Sequence, residues 1–173
     1  MLFRSNLIAD AMRAEGNGDV AVMNNGGIRA NLRDGPATYG SLFEIQPFAN
    51  VLYRYSLSGA ALRDYLEKLV GKRLNVHLSG ASVTYDSTAT PGTRVRRIRL
   101  ADGSELAPDK EYTLVLNDFL ATGGEGLGLA TAARRTDVLP LVDLDAFVAY
   151  LRSRPQPVRA PTDARFVGTR PAR

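Results

Sequence analysis

Two glycine-rich segments carry the polar and aromatic side chains best suited to binding a ligand. The segment at 24–29 reads Asn-Asn-Gly-Gly-Ile-Arg, and the segment at 117–126 reads Asn-Asp-Phe-Leu-Ala-Thr-Gly-Gly-Glu-Gly. Each follows a short apolar run, as expected for a loop that leaves a buried strand. Glycine lets backbone N–H groups approach a ligand closely, and the adjacent Asn, Arg or Glu can bind its polar edges.

Two phenylalanines lie in polar, glycine- or proline-rich surroundings. Phe119 is in the second segment, and Phe48 follows Pro47 in a separate loop. Two facing rings would hold a flat ligand, and base–aromatic stacking contributes about 1–3 kcal/mol per base. Each feature alone has a simpler explanation: a glycine pair forms a turn, a loop Phe packs into the core, and Arg29 lies on the surface. Their joint order favours a ligand site.

Composition removes several classes of site. The chain has 173 residues, no Cys and one His, His77, which excludes disulfides, thiolate metal sites and His-rich zinc or di-metal centres. No run of 18 apolar residues exists, so no membrane span is expected. The sequence pI of about 9.6 suggests nucleic acid binding. However, residues 152–173 hold six Arg and one acid, so the rest of the chain is close to neutral.

The spacing of apolar residues predicts helices and strands in mixed order. Helices are expected over 6–15, over 59–69 after a Ser58 cap, and over 144–151 near Asp143, while 39–45 is either a short helix or irregular. Strands are expected over 20–23, 51–57, 83–85, 95–100, 112–116 and 165–167. Because helices and strands do not alternate strictly, the α+β class is favoured over a doubly wound parallel sheet.

The length indicates one domain. We expect it to end between 154 and 168, with 155–173 as a Pro/Arg-rich C-terminal segment whose last residues are loose. The first residues lack the apolar stretch of a secretory signal peptide.

Five stretches together resemble the C-terminal domain of the 5'-nucleotidase family, which includes UDP-sugar hydrolases and ecto-5'-nucleotidases. They occur in that family's order and cover most of residues 6–168. The stretches are NLIADAMR (6–13), VMNNGGIR (22–29), QPFANVLYRYSLSGAALRDYLE (46–67), SGASVTYD (79–86) and NDFLATGGEGL (117–127). The resemblance implies a four-layer α/β/β/α-type sandwich.

The resemblance also implies a nucleoside site. The base would stack between Phe48 and Phe119, with Asn50 on its edge. Asn24, just ahead of the first glycine pair, is a further implied contact, and Arg29 would bind the phosphate end. Glu125 would bind the ribose hydroxyls. It follows Gly123 and Gly124 and precedes Gly126. A carboxylate can accept hydrogen bonds from both hydroxyls, and a guanidinium suits phosphate oxygens.

Departures from the family pattern qualify this site. The family usually has Asp where Glu125 stands, which moves the carboxylate by about one bond length. Arg73, Leu74 and His77 stand near positions where Gly and Gln are usual, and His77 is expected to be a packed strand residue. The family's two-metal catalytic domain precedes this one and supplies ligands that this sequence lacks, so the chain alone is expected to be inactive.

The expected function is therefore nucleotide binding within a periplasmic or exported bacterial metallophosphoester hydrolase of nucleotide catabolism. Its partners would be a nucleoside or nucleotide and an N-terminal metallophosphoesterase domain that holds divalent metals. The first alternative is a stand-alone, non-catalytic nucleotide-binding module. A nucleic-acid-binding protein is disfavoured because the basic residues lie in the tail. A relative that hydrolyses sulfur compounds is disfavoured by the two loop phenylalanines.

Overall fold

The structure, a computed structural model, describes residues 2–129 and 132–168. Residues 169–173, where a loose end is expected, lie outside the described residues. Within these ranges, five α-helices and eight strands follow in this order: α1 (Leu2–Glu15), β1 (Val20–Asn24), α2 (Tyr39–Ile45), β2 (Val51–Ser58), α3 (Gly59–Gly71), β3 (Val76–Ser79), β4 (Ala81–Tyr85), β5 (Val95–Leu100), β6 (Glu111–Asn117), α4 (Asp118–Ala121), β7 (Arg135–Val142), α5 (Asp143–Ser153) and β8 (Phe166–Gly168).

The strands form two mixed sheets. The larger has the order β3-β1-β6-β2-β7, in which β1 and β6 are parallel and the other neighbours are antiparallel. The smaller has the order β5-β4-β8, with β4 antiparallel to β5 and parallel to β8. Mixed sheets with separate helices confirm the α+β class.

Both faces of the larger sheet are covered. Val20 and Val22 of β1 pack with α3 and with residues of the smaller sheet, whereas Ala21 and Met23 pack with α1 and α5. This explains why β1 is a continuous apolar run rather than an alternating one. Helices α1 and α5 therefore cover one face of the larger sheet, whereas α3 and the smaller sheet share the other face, and α3 contacts strands of both sheets.

Local capping signals explain where two of the helices begin, and one of the two was expected. The Ser58 hydroxyl accepts a hydrogen bond from the backbone N–H of Ala61 and so begins α3. Residues 39–45 form a helix, α2, because Thr38 and Ser41 make a reciprocal capping box. Helix α5 begins after Val142, and Asp143 is its first residue rather than its cap.

Two strands were not predicted as elements with bounds, although His77 in the first of them was expected to be a strand residue. Strand β3 is buried throughout its four residues, so it shows no alternation of apolar and polar positions. Strand β7 begins with charged and polar residues and contains Pro140, a residue that argues against a central strand. Its place at the edge of the larger sheet removes that objection, because an edge strand leaves one row of backbone groups unpaired.

Candidate functional site

Strand order brings the two glycine-rich segments and the loop that carries Phe48 to one edge of the larger sheet. The parallel neighbours β1 and β6 end there at Asn24 and Asn117, since Val22 pairs with Leu116. Strand β2 begins at the same edge, where Leu52 pairs with Asn117. The segments after β1 and β6 and the segment before β2 therefore converge.

A cleft of about 240 Å³ lies at this edge. Its lining residues come from all three segments and are Asn24, Gly26, Gly27, Phe48, Asn50, Asn117, Phe119 and Glu125. Five of the residues named from the sequence thus line one space, although they lie up to 101 positions apart, between Asn24 and Glu125. Arg29, Gly123 and Gly124 are not among its lining residues.

The two phenylalanines are exposed in the cleft. Phe48 is 54% exposed and Phe119 is 45% exposed. This exposure contradicts the simpler explanation that each ring is a core residue. A half-exposed aromatic ring beside a cleft remains available for stacking on a flat ligand.

Arg29 stands between two clefts. Its Cζ lies 5.9 Å from the centroid of the Phe48 ring, and its Nη1 donates a hydrogen bond to the Gly26 carbonyl at 3.3 Å. Its side chain lines a neighbouring cleft of about 240 Å³ together with Ser5, Asn25 and His77. The guanidinium is therefore positioned beside the aromatic cleft, not within it.

Asn117 is a site residue that sequence reasoning missed. It is fully buried, its Nδ2 donates to Asn24 Oδ1 at 2.9 Å, and its Oδ1 accepts from the backbone N–H of Leu120 at 3.1 Å. One side chain thus joins the two glycine-rich segments and begins α4, the helix that carries Phe119. The signal available in the sequence was an Asn immediately before a short helical turn.

Asn50 is held by Asp143. Asn50 Nδ2 donates to Asp143 Oδ2 at 2.8 Å, and the backbone N–H of Asp143 donates to the Asn50 carbonyl at 2.8 Å. Burial raises the pKa of Asp143, against the opposing effect of hydrogen bonds from Asn50 and Leu144. The negative charge of Asp118 acts in the same direction as burial. The Asp143 contact fixes the position of Asn50 at the rim of the cleft.

The segment around Glu125 turns sharply. Gly123 has a φ of +103° and Glu125 has a φ of +58°, a left-handed conformation that is uncommon for residues other than Gly, Asn and Asp. Gly124 lies against Phe119: a Cβ at position 124 would stand 2.3 Å from the Phe119 carbonyl oxygen and 2.7 Å from its ring. Gly124 is therefore needed for the observed position of the ring.

Gly124→Ala tests this close approach. The added methyl group should displace Phe119, destabilise the fold by about 1–3 kcal/mol and weaken the binding of a flat ligand in the cleft. The matched control is Gly40→Ala, where the new Cβ meets no atom closer than 3.9 Å, so its stability and affinity should stay near wild type. Urea unfolding and calorimetric titration measure the two effects. Equal affinities in the two variants would contradict this role for Gly124.

His77 is a packed residue of β3, as expected. It is 2% exposed, and its Nε2 lies 3.2 Å from Asn25 Oδ1. Burial lowers the pKa of His77 from 6.5 to about 4. The ring is therefore neutral near pH 7, and an amide oxygen as its partner requires Nε2 to be the donor.

This burial predicts a pH dependence of stability. Between pH 6.5 and about 4 the unfolded chain protonates at position 77 and the folded chain does not, so stability falls as the pH falls. The loss attributable to His77 should reach about 3 kcal/mol at most. His77→Gln keeps a donor for Asn25 and should lose less stability than wild type over this range. Urea unfolding of both proteins at pH 7, 5.5 and 4.5 measures the difference. If wild type and His77→Gln lost the same stability over this range, the buried, neutral state of His77 would be contradicted.

The described residues do not fit a two-metal centre. Across residues 2–129 and 132–168, no group of three or more His, Asp or Glu side chains is arranged to hold a metal ion. Over the same residues, no helix has the length and apolar character needed to cross a bilayer.

Known proteins match the sequence of this chain over most of its length. The chain is 37% identical over 165 residues to endonuclease YhcR of Bacillus subtilis and 31% identical over 124 residues to protein UshA of Yersinia enterocolitica. These matches cover 93% and 70% of this chain, which spans only 13% and 22% of those proteins.

A solved structure and a family model also match most of this chain. The crystal structure of a 5'-nucleotidase precursor from Thermus thermophilus matches 97% of this chain with a TM-score of 0.84 and 28% identity, and this chain covers 36% of it. The family model described as 5'-nucleotidase, C-terminal domain, matches residues 5–133. The chain belongs to the 5'-nucleotidase C-terminal domain family.

Proposed function

We propose that the cleft binds the nucleoside part of a nucleotide that a separate metal-binding domain hydrolyses. The observation that carries this proposal is the pair of half-exposed rings, Phe48 and Phe119, in one cleft with the carboxylate of Glu125. The rings would stack on the two faces of a base, and the Glu125 carboxylate would accept hydrogen bonds from the ribose hydroxyls. Gly123 and Gly124 would let the backbone approach the ligand.

Arg29 would bind the phosphate end of the same ligand. Its guanidinium lies beside the Phe48 ring and borders the neighbouring cleft, which supports a contact with the phosphate of a nucleotide whose base lies in the aromatic cleft. A guanidinium matches phosphate oxygens in charge and shape. Asn24 would contribute its amide group, because its side-chain oxygen already accepts from Asn117.

Hydrolysis would belong to an N-terminal metallophosphoesterase domain of the parent protein. This chain covers only a small part of its relatives, and its described residues do not fit a metal centre. The divalent metals of that other domain would lower the pKa of the attacking water and stabilise the leaving oxygen. A single ligand-binding domain would run from residue 1 to an end between 154 and 168, and residues 155–173 would form its Pro/Arg-rich C-terminal segment.

The parent protein would be exported or periplasmic and would act in nucleotide catabolism. A relative with 30% identity over 166 residues is the cell wall protein Lmo0130 of Listeria monocytogenes. A location outside the cytoplasm is compatible with a chain that contains no Cys.

Nucleic acid is a weaker candidate ligand, despite the endonuclease name of one relative. Two arginines of the basic stretch 152–173 make contacts within the domain. Arg165 pairs with Asp10, its Nη2 lying 3.2 Å from Asp10 Oδ2. The Cζ of Arg154 lies 4.3 Å from the centroid of the Tyr150 ring. These guanidinium groups are engaged within the domain, which leaves fewer of them to bind a phosphate backbone.

Phosphate release and ligand binding, measured together, test the proposal. AMP should bind to this chain, and no phosphate should be released when Mn²⁺ or Zn²⁺ is added. Metal-dependent release by this chain alone would contradict the assignment of hydrolysis to another domain. Binding of a single-stranded oligonucleotide in strong preference to AMP would contradict the proposed ligand.

A further inference from the structure

Asp143 is a buried carboxyl group that does not line the cleft itself but hydrogen-bonds to Asn50, which does. It is 1% exposed and lies at the start of α5, 93 positions from Asn50. Strand β7 brings it there, because Val142 pairs with Val51 at the sheet edge where the cleft lies. The family match ends at residue 133, so Asp143 lies beyond it.

Three hydrogen bonds occupy Asp143. Its Oδ2 accepts from Asn50 Nδ2, its Oδ1 accepts from the backbone N–H of Leu144, and its own N–H donates to the Asn50 carbonyl, each at 2.8 Å. Asn50 is thus held at both its side chain and its backbone. The preceding residue, Ala49, has a φ of +51°, so the chain turns sharply where Asp143 holds it.

These bonds decide which end of the Asn50 amide is free. A carboxylate only accepts hydrogen bonds, so the NH₂ group of Asn50 must face Asp143. The side-chain oxygen of Asn50 is then turned away from Asp143, and no residue in the described part of the chain donates to it. Asn50 lines the aromatic cleft, and within the described residues this oxygen is the end of its amide left available to a ligand.

We propose that Asp143 is a positioning residue that orients Asn50 to select bases with an N–H donor, such as the exocyclic amine of adenine, at the edge facing Asn50. This inference rests on the proposed function, because it requires the cleft to bind a nucleoside. Stacking on Phe48 and Phe119 tolerates every base, so discrimination must come from an edge contact of this kind. Without Asp143, the Asn50 amide could rotate and present either end.

Adenosine and purine riboside form the ligand pair for the test. The bases of both ligands can stack, but purine riboside lacks the exocyclic amine. The ratio of the two dissociation constants therefore measures the contribution of that amine as a hydrogen-bond donor. Calorimetric titration at pH 8 should give about tenfold tighter binding of adenosine to the wild type, the value of one added hydrogen bond. In Asp143→Asn the ratio should fall towards one, since the new amide can donate to Asn50 Oδ1. Purine riboside should bind within about twofold of wild type, because stacking is unchanged.

The control is Asp145→Asn, an exposed change in the same first turn of α5, which should keep the tenfold ratio. If Asp143→Asn does not fold, Asn50→Leu replaces it and should also abolish the ratio. A wild-type ratio of one with both ligands bound would overturn the inference and leave the proposed function standing. Failure of the wild type to bind either ligand would overturn the proposed function itself. A tenfold ratio that persists in Asp143→Asn would show that Asp143 does not orient Asn50.

Discussion

Phe119→Ala and Phe48→Ala are each expected to weaken adenosine binding by about 1–3 kcal/mol, the value of stacking one base on an aromatic ring. Both rings are about half exposed and line the cleft, so their removal should cost little fold stability. Calorimetric titration gives the loss of affinity, and thermal unfolding gives the change in stability. If affinity and fold stability were both lost, the rings would be packing residues of the core and not ligand-binding residues.

Two exposed aromatic residues outside the cleft provide the matched controls. Tyr39 and Phe43 of α2 are 59% and 47% exposed. Neither residue lines the cleft, so Tyr39→Ala and Phe43→Ala remove comparable aromatic surface outside it. Adenosine affinity should be unchanged in both, and an equal loss in these variants would argue against a specific aromatic clamp.

Glu67→Ala should produce the largest loss of fold stability, about 3 kcal/mol or more. The nearly buried carboxylate of this α3 residue accepts from the backbone N–H groups of Gly92, Arg94 and Val95 at 2.9, 3.1 and 2.7 Å. Its removal leaves these donors at the start of β5 without their acceptor, and each hydrogen bond to a charged group contributes about 1.5–3 kcal/mol. Urea unfolding measures the loss.

The control for Glu67 is an exposed acidic residue in an ion pair. Glu105 pairs with Arg97 at 2.6 Å, and its side chain is 64% exposed. Glu105→Ala should cost less than about 1 kcal/mol, as exposed ion pairs generally do. Equal losses in the two variants would contradict the anchoring role of Glu67.

The contribution of Glu67 should also depend on pH. Burial opposes ionisation, but the backbone donors of Val95, Arg94 and Gly92, together with the Arg94 charge, outweigh it and lower the pKa of Glu67. A folded-state pKa below the unfolded value means that the stabilisation is present above about pH 4.5 and is lost as the pH falls further. The stability difference between wild type and Glu67→Ala should therefore narrow in acid.

Much of the fold could be predicted because local signals and tertiary packing agree. Strand β1 was recognisable from its continuous apolar run, and α3 from its Ser58 cap and apolar face. Strand β3 was predicted only at His77, and its bounds were missed because both its faces are buried and it is only four residues long. Strand β7 was missed because its position at an edge, which makes Pro140 acceptable, is a property of the whole sheet.

Part of the candidate site could also be predicted from local sequence features. Phe48 and Phe119 stood out as aromatic residues in polar loops, and the resemblance supplied Asn24, Asn50 and Glu125; all five line one cleft. Arg29 lines the adjacent cleft instead. Asn117 and Asp143 were noted only as a loop residue and a helix start, because their hydrogen bonds to Asn24 and Asn50 span more than 90 positions. Sequence patterns do not reveal such long-range pairs.

Calorimetric titration of adenosine, without added metal, is the measurement that tests the central claim most directly. It should be run on the wild type and on a Phe48→Ala/Phe119→Ala double variant. Saturable binding to the wild type that is lost in a folded double variant is the predicted result. No binding to the wild type, or equal binding to both proteins, would contradict the claim that these two rings hold a nucleoside.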